Sequence, residues 1–122
     1  MRRLALAAAL AFGLAGPAAA DYWSEFDAGI EAYIDGRHAD AIKRFEPLAA
    51  RGDHRAQYWL GAIYVEGKGV PRDRVLGHMW FSVAARRGNR AAGIGRDTVA
   101  AKMSPEQLAE ARRLVEAWRP TD

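Results

Sequence analysis

The sequence predicts an all-α fold, a short α-solenoid of three antiparallel helix pairs, and three observations predict it. Apolar residues recur at helical spacing in six separate stretches, and no stretch alternates strictly as a half-buried strand does. Glycine-rich breaks separate those stretches. The pattern also repeats along the chain. Tyr33-Ile34-Asp35-Gly36 is echoed by Tyr64-Val65-Glu66-Gly67, an offset of 31, and Ala49-Ala50-Arg51-Gly52 by Ala85-Arg86-Arg87-Gly88, an offset of 36. Offsets in the thirties mark stacked helical hairpins, each too small to bury its apolar face alone.

Residues 1–20 read as a separate object. Arg2 and Arg3 give a positive start, Leu4 to Leu14 an apolar run, and Gly16-Pro17 a break before the small residues Ala18-Ala19-Ala20. This is the layout of a signal peptide, with cleavage expected before Asp21. A transmembrane anchor is the alternative, but the apolar run is shorter than the ~20 residues a span needs. The expected mature domain, 21–122, is periplasmic or secreted. It divides into hairpins at about 22–52, 53–88 and 89–119.

The chain carries 18 basic and 15 acidic residues for a formal charge of +3. Two of the basic residues and no acid fall in the leader, so the mature domain stands near +1. Mixed charge at that level gives no electrostatic reason to expect nucleic acid as a partner. Cysteine is absent, which excludes disulfides and thiol chemistry and leaves stability to helix packing.

The first mature helix is expected over Asp21 to Ile34, with Ser24 as a candidate N-cap and Phe26, Ile30, Tyr33 and Ile34 as its stripe. Gly36 suits a left-handed C-cap. A second helix, His38 to Ala50, turns Ala41, Ile42, Phe45, Leu48 and Ala49 inward. Pro47 within it predicts a kink or a shifted start. Asp53 is placed to cap the next helix.

In the second hairpin Ala56, Leu60, Ile63 and Tyr64 share one face, and Val75, Met79, Trp80 and Val83 share another. Between them Gly67-Lys68-Gly69-Val70-Pro71-Arg72-Asp73 is a turn no helix interior would tolerate. In the third, Asn89 is a cap, and Ala91, Ile94, Val99, Ala100 and Ala101 form a stripe weakened by Gly93 and Gly95. Ser104-Pro105-Glu106-Gln107 is a capping box with proline in the first turn. Leu108, Ala111, Leu114, Val115 and Trp118 line the last helix, which Arg119-Pro120 ends.

The second hairpin resembles a Sel1-like repeat, a longer-looped relative of the tetratricopeptide repeat. Ala56, Leu60, Gly61, Tyr64, Gly67, Gly69, Val70, Asp73, Trp80, Ala84, Ala85 and Gly88 carry the resemblance in register. Gly77 departs from it, standing where the family has alanine, and is expected to loosen its helix by roughly 1 kcal/mol. Gly61 is expected to face the second helix near Trp80 and Ala84. The resemblance, to short exported bacterial members, implies scaffolding or adaptor work through a concave face. An accessory subunit or enzyme acting on cell-envelope material is the alternative it leaves open.

No catalytic, cofactor or metal site is expected. His38, His54 and His78 have no ligand partner at helical spacing. Ser82 lies in no nucleophile elbow, and Gly67-x-Gly69 lacks the strand and the lysine–hydroxyl ending of a phosphate loop. The expected partner is another protein, a peptide or helix in the groove. The candidate contacts are Arg55, Tyr58, Trp59 and Glu66. Tyr58 and Trp59 leave the helix about 100° apart, so both cannot enter one core. Trp59 is read either as an exposed anchor or as packed on Ile63 or the neighbouring first helix.

Overall fold

The computed structural model describes residues 17–122, with side chains from Ser24 onward. Most of the expected leader therefore lies outside the described residues. Six helices follow in order: α1 (Pro17–Ile34), α2 (His38–Ala50), α3 (His54–Glu66), α4 (Arg74–Arg86), α5 (Arg90–Ala100) and α6 (Pro105–Ala117). Among the described residues there is no strand.

Helix ends follow local chemistry. Gly36 and Gly67 take left-handed φ values of 79° and 72° and end α1 and α3. Asp53 accepts from the backbone N–H groups of Arg55 and Ala56, Asp73 from Leu76, and Asn89 from Ala92. At α6 the Ser104–Gln107 capping box is complete in both directions. Two expectations at α1 fail. The helix starts at Pro17 and not at Asp21, because proline's fixed φ and missing N–H suit a first turn and three alanines follow. Ser24 is consequently inside α1 and caps nothing. Pro47 lies on the exposed side of α2, and the helix runs past it to Ala50.

Packing is sequential: α1 on α2, α2 on α3, α3 on α4 and α4 on α5. The expected third pair is built differently. α6 makes its extensive approach to α4, not to α5, and α5 and α6 meet through side chains around Val99, Met103 and Ala111. Helix α4 is thus the most enclosed element, with Gly77, His78, Met79, Phe81, Ser82, Val83 and Ala84 all buried. Its expected face of Val75, Met79, Trp80 and Val83 describes only part of that surface.

One cluster, with Phe45, Leu60 and Ile63 fully buried among small alanines, joins α1, α2 and α3. A second surrounds Phe81, and a third unites Met79, Val83 and Val115 with the rings of Trp80 and Trp118. Burying each such large side chain contributes about 1.5–3 kcal/mol. The stripes misassign two isoleucines. Ile34 is 75% and Ile94 69% exposed. Ala91 and Ala101 are exposed as well, since α5 turns Ala92 and Val99 to the core and lays Gly95 against Phe81.

Candidate functional site

The seam between α1 and α3 gathers the candidate contact residues. Arg55, Tyr58 and Trp59 occupy the first half of α3, and Glu66 ends it. The Trp59 ring stands 5.0 Å from that of Tyr33 on α1 and 6.1 Å from that of Phe45 on α2, nearly parallel to the latter at 15°. Of the two readings of Trp59, packing on the neighbouring first helix is the observed one, yet the side chain remains half-buried. Tyr58 diverges from it as helix geometry requires. Its ring lies 6.0 Å from Trp59 and 5.7 Å from Phe81.

Arg55 is held on two sides. Its guanidinium carbon lies 4.1 Å above the ring of Phe26, and its Nε and Nη2 donate to Asp53 at 3.1 and 2.7 Å. A bidentate pair with a ring beneath it fixes the fork in place. For Asp53, burial pushes the carboxyl pKa up, but the hydrogen bond and charge of Arg55 and two backbone N–H groups outweigh it and hold it below its ordinary value. At the other end of the seam Tyr33 Oη donates to Glu66 Oε1 at 3.2 Å. Burial, then the Glu66 charge, raises the Tyr33 pKa. The seam is therefore a row of half-buried aromatic rings, with a fixed cation at one end and an exposed carboxylate at the other.

The repeat-motif residues serve the scaffold. Ala56, Leu60 and Ala84 are fully buried, and Tyr64 packs at the rim of the first cluster. Gly69 adopts φ +76° and leaves no room for a Cβ, which would stand 2.6 Å from His38 Cβ. Trp80 packs 6.4 Å from Trp118. Gly88 adopts φ +92° just past α4. Gly61 does face α4, and its nearest neighbour there is Phe81: a Cβ would meet Phe81 Cδ1 at 2.5 Å. Gly77 has a packing role that its helix propensity alone does not give. A Cβ on it would lie 2.4 Å from Val65 Cγ2 and 3.0 Å from the Gly61 carbonyl oxygen, so the glycine is what lets α3 and α4 approach.

The histidines are scattered. The His38 ring packs 5.3 Å from that of Tyr33, His54 Nδ1 lies 3.1 Å from Asn89 Nδ2, and His78 Nδ1 lies 3.3 Å from Ser82 Oγ. Among the described residues no group of three or more His, Cys, Asp or Glu is placed to hold a metal. Nor is any described helix long and apolar enough to cross a membrane.

Two features escaped the sequence reading. His78 and Ser82 are buried beside Arg96 and Arg112. A cleft of about 530 Å³ opens between α3 and α5. A signal for the cleft existed in Lys68, Arg72 and Arg74, which crowd basic charge onto the long turn and its exit.

No curated protein matches the chain significantly. A family model described as Sel1 repeat matches residues 54–89. That span covers α3, the glycine turn and α4, the hairpin whose motif residues have just been placed. From His54 to Asn89 the chain is thus similar to a Sel1 repeat, the family that its motif resembles.

Proposed function

We propose that the protein is an exported, periplasmic or secreted interaction module. Its first four helices form two hairpins over which α5 and α6 close, and its first-helix face holds a peptide or helix of another protein. Repeats of this family commonly mediate protein–protein interaction and are not catalytic. The observation that carries the reading is the half-buried ring row of Phe26, Tyr33, Trp59 and Tyr58 along α1 and α3. Rigid aromatic rings with one edge open supply contact area at little entropic cost, and such residues dominate interface energetics. Arg55 and Glu66 at its two ends would set a partner's orientation.

The test is photo-crosslinking in intact cells from position 27 on α1, an exposed aspartate whose charge acts on Arg55. The control is position 113 on α6, also exposed. Adducts specific to position 27 are expected. Identical adducts from both positions, or none from either, would refute a binding face on α1 and α3. The mass of the protein recovered from the periplasm or medium tests export. A cytoplasmic product retaining Met1 would end that part of the proposal.

A further inference from the structure

The second hairpin differs from the first by the length of its turn, and the added residues build something. Asp35, Gly36 and Arg37 suffice to connect α1 and α2, whereas Gly67 to Asp73 connect α3 and α4. The longer turn is anchored at both ends: Lys68 N donates to Ile63 O at 3.2 Å and Asp73 N to Tyr64 O at 2.9 Å. It is buttressed in the middle by Gly69 against His38. So placed, it closes one side of the cleft between the C-terminal halves of α3 and α5.

Ala62, Val65, Phe81 and Val99 give that cleft apolar surface. Four cations line it as well: Lys68 and Arg72 from the turn, Arg74 at the start of α4, and Lys102 just past α5. Glu66 is the one acid in the lining. Six cations elsewhere are matched, Arg37, Arg44, Arg55, Arg86, Arg96 and Arg113 each forming an ion pair, while Lys43, Arg87, Arg90 and Arg112 form none among the described residues. None of the four in the cleft forms one among the described residues, nor does any donate a side-chain hydrogen bond. In a domain whose mature charge is near balance, this is a local excess of unpaired positive charge around apolar surface.

We propose that the cleft docks an acidic, partly apolar peptide segment of a partner protein. An apolar side chain would cover Val65, Phe81 and Val99, and flanking carboxylates would meet Lys68, Arg72, Arg74 and Lys102. Inorganic anions need converging donors and gain nothing from an apolar wall. A nucleic-acid backbone would meet Glu66 and a domain with almost no net positive charge. The apolar surface supplies affinity, while rim cations supply association rate and selectivity, so binding weakens as salt rises. This inference rests on the reading of the chain as a protein-binding module and adds the partner's chemistry at a second place on it.

The experiment is selection from a random-peptide display library on the purified protein, followed by fluorescence anisotropy with the enriched peptides. The comparison variant is Arg72→Glu/Lys102→Glu, both positions being exposed and outside the core. Enriched peptides are expected to carry carboxylates flanking an apolar residue. They should lose at least about tenfold in affinity on the variant, whose melting temperature stays near wild type, and also when Gln or Asn replaces the acids. Absence of enrichment, enrichment without acidic bias, or equal binding to the variant would overturn the cleft. Binding of anionic vesicles or a phosphate polymer in preference to the peptides would overturn the choice of partner. Crosslinking at position 27 with no acidic peptide selected would leave the α1–α3 face standing and remove the cleft alone.

Discussion

Gly61 on α3 lies directly beneath the ring of Phe81 on α4, and a Cβ there would stand 2.5 Å from the ring. The first hairpin repeats the relationship, with Gly29 beneath Phe45 at 2.6 Å. Gly95 on α5 then receives another edge of Phe81 at 2.8 Å. Each phenylalanine is a knob whose socket is a glycine, so the internal repeat is a repeat of packing as well as of turns.

Replacing Gly61 by leucine should therefore overpack the contact. The expected loss is about 1–3 kcal/mol, against which better helix propensity returns at most about 1 kcal/mol. Chemical denaturation measures the difference. A combined Gly61→Ala/Phe81→Leu protein should lose less than the two single changes together, because the smaller ring vacates space for the new methyl group. Strict additivity would argue that the two residues do not share this contact.

Gly77→Ala separates propensity from packing. Propensity alone predicts a gain of about 1 kcal/mol. The neighbouring Val65 side chain has some freedom to turn, but the Gly61 carbonyl at 3.0 Å is backbone and moves only with α3. A net loss of stability is expected, partly restored by Val65→Ala. A more stable Gly77→Ala protein would mean that the helices are not in contact there.

Most caps and turns were legible in the chain because each is decided within four residues: Asp53, Asn89 and Ser104 act where their neighbours say they should, whereas the Asp73 cap went unread and Ser24 does not cap. The faces of α5 and the neighbours of Gly61 and Gly77 were less so. A stripe drawn through large apolar residues places Ile94 inside, whereas α5 turns Ala92, Gly95 and Val99 inward to admit Phe81. Small residues score weakly in such patterns although close helix approach depends on them. Trp59 was ambiguous for another reason. Its burial depends on Tyr33 and Phe45, residues of other helices whose position no local pattern supplies. The cleft cations were visible as letters, but their lack of ion-pair partners is a property of the folded arrangement.

His78 gives the fold a pH dependence. Burial, followed by the charges of Arg96 on α5 and Arg112 on α6, lowers its pKa from the ordinary 6.5, with Asp97 opposing. Between the folded and unfolded values the unfolded chain binds more protons, so stability rises with pH. The contribution is complete above about pH 6.5 and declines as pH falls toward the lowered folded value. Asp53, held below its usual value, acts in a separate and more acidic window: its contribution is present above pH 3.8 and is lost as pH falls through its folded value. Melting temperatures measured from about pH 7.5 to about pH 5 should fall for the wild type and fall less for His78→Gln. Parallel curves for the two proteins would remove His78 as the cause.

Gln57 presents the opposite problem, a buried polar group with only half its capacity used. The residue is fully buried, and its Nε2 donates to the Ala49 carbonyl at 3.0 Å, while Oε1 has no hydrogen-bond partner within the protein. Ala49 O also accepts from Gly52 N at 3.1 Å, so it does not depend on the side chain. Methionine has similar length and removes the orphaned oxygen. The lost hydrogen bond costs about 1 kcal/mol, and relief of a desolvated carbonyl returns about 1–3 kcal/mol. Gln57→Met should accordingly match or exceed wild-type stability. Gln57→Glu keeps the shape but places a carboxylate at a fully buried position facing the Ala49 carbonyl, and should be clearly destabilised at neutral pH, with recovery on acidification as the group becomes neutral. Denaturation midpoints of the three proteins at two pH values decide the ordering. A methionine variant weaker than wild type by more than about 1.5 kcal/mol would show that Oε1 is satisfied in solution, and an ordered water is the partner of the right size and polarity.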